Sequence, residues 1–154
     1  MSSQGPQSPG TMASAAGIVS TVSYYGIQDS ELTGYSWVGQ AFIGEDAILG
    51  LAIFKMKKLN GTPTNGYAKL YATTGTYGST SIPTGAPLAT SDVVDVSDLG
   101  SSYTNVFFYF SGAQQYLLVA GTEYFITFEF TGDIDNQVVV GLDSTSPTHA
   151  GNMA

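Results

Sequence analysis

An antiparallel β-sandwich of about eight strands, jelly-roll-like in style, is the fold this sequence predicts, and three observations predict it. β-branched and aromatic residues recur in short runs, with 10 Tyr and 8 Phe in 154 residues. Gly (19 residues), Pro, Ser and Thr break those runs at short intervals, which is the vocabulary of tight turns. Only 10% of residues are charged, so the Glu, Lys and Arg that long helices need in bulk are withheld.

Residues 1–17 are Ser, Gly, Pro and Ala without periodicity, and Pro6 and Pro9 disfavour helix just before them. They are expected to form an extended N-terminal arm, with 18–154 as one all-β sandwich domain. Strands are predicted over 18–25 and 35–43 from their β-branched and aromatic content. Segment 47–59 is long enough for a helix. However, Leu49, Leu51, Ile53, Lys55 and Lys57 alternate with Ile48, Ala52, Phe54, Met56 and Lys58. That pattern predicts one long strand, buried on both sides at first and basic on one face at its end.

Asn60-Gly61 then predicts a turn. Over 66–73, Tyr67, Lys69 and Tyr71 are expected outward, with Ala68, Leu70 and Ala72 inward. Segment 74–87 reads as an exposed loop, too long for a hairpin. Extended structure resumes at 88–96 and 106–110. In 123–131, Tyr124, Ile126, Phe128 and Phe130 oppose Phe125, Thr127 and Glu129; the last strand is 138–142.

Composition narrows function. The net charge is −8, with four lysines and no arginine, and phosphate backbones need the opposite sign; nucleic acid is not an expected partner. The first ten residues lack the basic and apolar regions of a secretory signal. The longest apolar run, about eight residues over 47–54, falls far short of the roughly 20 that span a bilayer. A soluble product without a membrane partner is expected. With no cysteine, disulfides and thiolate chemistry are excluded.

Candidate sites are few. The single histidine, His149, lies near the end, a poor setting for a triad that needs it packed between partners. Asp133 and Asp135, and Asp92, Asp95 and Asp98, sit in turn-like stretches. Turn chemistry outweighs a paired-carboxylate or Ca²⁺ site, because neither spacing matches a calcium loop. Asn60-Gly61-Thr62 fits a glycosylation sequon but reads first as a turn. No enzyme, no cofactor and no metal are expected. Aromatic rings offer a sugar-stacking alternative, with Trp37 and the loop residue Tyr77 as its best candidates, although core packing is the commoner use of such rings.

Several stretches carry a family resemblance. They are Ala68-Lys69-Leu70-Tyr71-Ala72-Thr73-Thr74-Gly75-Thr76-Tyr77-Gly78, Pro83-Thr84-Gly85, Leu88-Ala89-Thr90-Ser91-Asp92 and the late Ser146-Pro147-Thr148-His149-Ala150-Gly151-Asn152. Together they resemble a jelly-roll-like β-sandwich domain of tailed-bacteriophage virion proteins. The resemblance covers most of the chain in strand-and-turn style and brings no catalytic residue with it. It implies a virion location, most simply as a capsid decoration protein on the outer head surface, with a tail or fibre component as the alternative. A free-standing carbohydrate-binding module is the reading from another class. The partners implied are a major capsid protein, other copies of this chain (a trimer), or both. The arm residues Gly5, Pro6, Pro9 and Met12 are the expected interface. Such domains continue past the Ser-Pro-Thr-His run, so the resemblance also implies missing closing strands, replaced by the arm or by a neighbour's strand.

Overall fold

A computed structural model describes residues 23–27, 37–130 and 136–142. Eight principal strands lie within them: β1 (Ser23–Ile27), β2 (Trp37–Ile43), β4 (Leu51–Asn60), β5 (Asn65–Thr74), β6 (Ile82–Thr90), β8 (Thr104–Tyr109), β10 (Glu123–Phe130) and β11 (Gln137–Leu142). Three short strands, β3 (Ala47–Leu49), β7 (Val94–Asp95) and β9 (Tyr116–Leu118), and one 3-10 turn, Gly112–Gln114, complete the described structure.

Two main antiparallel sheets, ordered β1-β11-β4-β8 and β2-β10-β5-β6 with β7 beside the start of β5, are joined by a small third one of β3 and β9. Among the eight principal strands the first pairs with the last, the second with the seventh, the third with the sixth and the fourth with the fifth. A long hairpin rolled into two layers has this order, which is that of a jelly roll. The chain is an all-β antiparallel sandwich.

The alternation read in β10 explains how the layers hold together. Tyr124, Ile126, Phe128 and Phe130 point into the core, where Phe128 meets Phe54 of β4 and Phe108 of β8 across the sandwich, at ring-centroid distances of 6.2 and 5.6 Å. Phe54 and Phe108 meet edge-to-face at 5.7 Å, and Phe130 stacks on Phe128. Each ring removes roughly 150–250 Å² from water, and such ring pairs add about 0.5–1.5 kcal/mol beyond burial. Met56, Leu70, Val138 and Val140, all fully buried, fill the space around them.

Three expectations are corrected. The long strand at 47–59 is two strands broken at Gly50, because β3 pairs with β9 while β4 pairs with β8. The Gly50 carbonyl accepts the Phe110 amide at 3.0 Å where the chain changes partner. Second, residues 74–87 are not one loop: β6 begins at Ile82 and pairs with β5 from Thr74 backward. Third, Ala72 is exposed, although Ala68 and Leu70 are buried as the alternation predicts. The expected replacement of closing strands by the arm or by a neighbour's strand falls outside the described residues. β11 lies inside its sheet with β1 on one side and β4 on the other. The Asn60-Gly61 turn is present, with Gly61 at φ 65°, a conformation glycine adopts without steric cost. The arm residues Gly5, Pro6, Pro9 and Met12 lie outside the described residues, as do Asp133, Asp135 and His149.

Candidate ligand cleft on the outer face of one sheet

The outward residues of β10 and its two neighbours assemble a polar cluster walled by aromatic rings. Register does the assembling. Glu129 of β10 stands opposite Trp37 of β2 on one side and Tyr67 of β5 on the other; Thr127 faces Lys69, and Phe125 faces Tyr71. Because side chains alternate with period two, all of these project from the sheet surface away from the core.

Glu129 is the polar centre. Its Oε2 pairs with Lys69 Nζ at 2.6 Å, and its Oε1 accepts the Tyr71 hydroxyl at 2.6 Å. The Thr127 hydroxyl reaches the same Oε1 at 2.9 Å and the Lys69 carbonyl at 3.3 Å. Burial raises the Tyr71 pKa above its ordinary value of 10, and the hydrogen bond to Glu129 and that carboxylate's charge raise it further. The phenol therefore keeps its proton, and its donor is committed to Glu129.

The aromatic wall has its own support. Gly39 of β2 lies beneath the ring of Phe125; a Cβ there would sit 2.6 Å from Phe125 Cε1 and 2.9 Å from Thr127 Cα. Phe125 is thus free to lie flat against β2, and Trp37 packs edge-to-face upon it at 6.0 Å and 90°. Trp37 itself stays partly exposed.

The opposite wall comes from a bulge in β6. Leu70 pairs with Ala89, yet Ala72 pairs with Thr84, so residues 85–88 stand against Tyr71 alone. They leave the sheet plane and are exposed. Trp37, Tyr71, Pro83, Gly85 and Glu129 enclose a cleft of about 250 Å³. That is below the roughly 300–1,000 Å³ usual for drug-sized ligands, and leaves room for one small ring.

Of the two rings expected to stack on sugar, the structure places Trp37 in this cleft and Tyr77 elsewhere. Tyr77 is half-buried in the β5–β6 turn. Burial and the charge of Glu123 push its pKa upward. Glu123 lies six residues from Glu129 along β10, roughly 20 Å at 3.3 Å per residue, so the two rings do not share a platform. Tyr71 and Lys69 were legible as outward residues and Thr127 and Glu129 as sharing one face of their strand, but none of them as neighbours across strands.

Of the aspartates at 92–98, Asp95 shapes a local turn, whereas Asp92 reaches a distant segment. Asp92 accepts the Ser111 hydroxyl. Asp95 accepts the Ser97 amide at 2.9 Å, and the hydroxyl and amide of Ser97 hold its carboxyl below the usual range. Asn136 accepts the Thr62 amide at 2.8 Å and so ties β11 to the β4–β5 turn. Among the described residues, no three His, Asp or Glu side chains gather closely enough to hold a metal ion.

No protein-family model matches this chain, and no curated protein or solved structure matches it.

Proposed function

We propose that this chain is a non-catalytic recognition domain that binds carbohydrate in the cleft between Trp37 and Tyr71. The observation that carries this reading is a partly exposed indole beside a fixed set of polar groups. A sugar ring has a C–H face that packs on an aromatic ring and hydroxyls that need both donors and acceptors. Tyr71 offers oxygen lone pairs, and Lys69 retains N–H groups beyond the one given to Glu129. The carboxylates support recognition without turnover. Glycoside hydrolysis takes two, about 5–9.5 Å apart, whereas among the described residues Glu129 is the one acidic residue lining the cleft, and three donors hold it.

The test is glycan-array binding by the wild-type protein and three variants. Trp37→Ala and Tyr71→Ala are expected to lose binding at least tenfold, while Tyr77→Ala keeps it. Equal binding by all four proteins would show that glycans attach elsewhere.

A second reading, a virion structural protein decorating a phage head, is favoured by the strand order, since jelly rolls serve viral capsids as well as lectins. In that setting residues 1–17 attach to a capsid protein or to a neighbouring copy, and the sandwich projects outward. A tail or fibre location is the variant in which glycan recognition serves host contact. Co-sedimentation with empty heads tests the decoration reading. Saturable binding that disappears when residues 1–17 are deleted supports it, and no binding to heads removes it.

A further inference from the structure

We propose that the cleft selects uncharged sugars and rejects those bearing a carboxylate, sulfate or phosphate. The proposal rests on the carbohydrate reading above and adds the ligand's charge class. Its basis is the distribution of positive charge over the entire chain.

The chain has four lysines and no arginine. Three of them, Lys55, Lys57 and Lys58, lie on β4, in the sheet opposite the one that bears the cleft. Of these, Lys57 sits 4.9 Å from the centre of the Tyr103 ring, and Lys58 reaches the Ser97 carbonyl at 3.4 Å. Among the described residues Lys69 is therefore the one fixed cation beside the cleft, and Glu129 already holds it at 2.6 Å. The pair presents donors and acceptors of hydroxyl-binding type and no surplus positive charge. An anionic sugar would have to displace Glu129 from Lys69 or lie beside that carboxylate, and it would approach a protein of net charge −8.

A cationic sugar is disfavoured for the converse reason. Both oxygens of Glu129 are engaged, Oε2 by Lys69 and Oε1 by Tyr71 and Thr127. The remaining lone pair, on Oε2, lies beside Lys69, so an ammonium group there would meet a like charge. What the cleft offers without rearrangement is neutral hydrogen bonding beside an indole.

Trp37 is the protein's single tryptophan, so its emission reports on the cleft alone. Titrations of the full chain with neutral hexose oligosaccharides, a uronic-acid oligosaccharide, a sialylated one and chitosan oligomers read the selectivity directly. The neutral series is expected to change the emission and to bind at least tenfold more tightly than any charged series, with little dependence on salt. The variant Glu129→Gln, which keeps the side chain's size and frees Lys69, is expected to gain affinity for the uronic-acid oligomer severalfold. Wild-type preference for an acidic or cationic series, or a Glu129→Gln variant with unchanged selectivity, would overturn the charge assignment while leaving carbohydrate binding intact. Failure of every sugar to bind would overturn both.

Discussion

Glu129 shows how a few contacts turn a sheet surface into a site. Its carboxylate collects a lysine, a phenol and a hydroxyl that belong to two strands, β10 and β5. One consequence is measurable without any ligand. The Tyr71 pKa is raised in the folded protein, so the folded state holds that proton more tightly than the unfolded chain does. The stability this contributes is fully present below about pH 10 and is lost as pH rises through the folded-state pKa. Thermal melts of wild type and Tyr71→Phe at increasing alkaline pH should therefore differ in slope, with the Phe variant losing less stability above about pH 10. Glu129→Gln removes the carboxylate charge and weakens the hydrogen bond that Tyr71 donates, so tyrosinate absorbance should appear at lower pH than in the wild type. An unchanged titration curve would mean that the charge of Glu129 does not govern Tyr71.

Between strands, β10 carries the most. It pairs on both sides, faces the aromatic core with one set of residues and builds the cleft with the other. Its neighbour β2 contributes through what it lacks at Gly39. A Gly39→Val variant puts branched carbon into the space of Phe125 and against the β10 backbone. Overpacking of this kind costs about 1–3 kcal/mol, to be read as a lower urea midpoint. It should also displace Trp37 from Phe125, shifting tryptophan emission in the absence of sugar.

On the other side, β6 forms a strand although Pro83 and Pro87 lie within its span. Proline is tolerated there because β6 is the edge of its sheet and has no further strand to receive an amide. Those prolines, with Gly85, are why 74–87 reads as a loop in sequence. The loop-like composition is real: it encodes the bulge at 85–88 that walls the cleft.

At the level of the fold, stability concentrates where the layers touch. Phe128 contacts rings from both sheets and is fully buried. Phe128→Ala should cost about 3–5 kcal/mol, the range for deleting a large core aromatic, measured by urea unfolding. By contrast, Trp37→Ala removes one edge-to-face contact at a partly exposed position and should lower stability by only about 1 kcal/mol. Loss of sugar binding in Trp37→Ala with the melt nearly unchanged would separate recognition from folding. The topology also sets the kinetics. Pairing the first principal strand with the last means that most stabilising contacts are remote in sequence, so refolding is expected on the slow, millisecond-to-second scale of all-β sandwiches.

Much of this was written locally. Period-two alternation in β5 and β10, the Asn60-Gly61 turn and the poverty of helix formers were enough for an all-β sandwich, because each depends on neighbours within a few residues. That Tyr71 and Lys69 face outward, and that Thr127 and Glu129 share a face, was equally plain from alternation. Their convergence was not, and neither was the separation of Trp37 from Tyr77. Nothing within the span of one strand says which other strand lies alongside or in what register. Those choices are made by the burial of Phe54, Phe108 and Phe128 against one another, an interaction among residues up to 74 positions apart. Local pattern decides which way a side chain faces; long-range packing decides whom it meets.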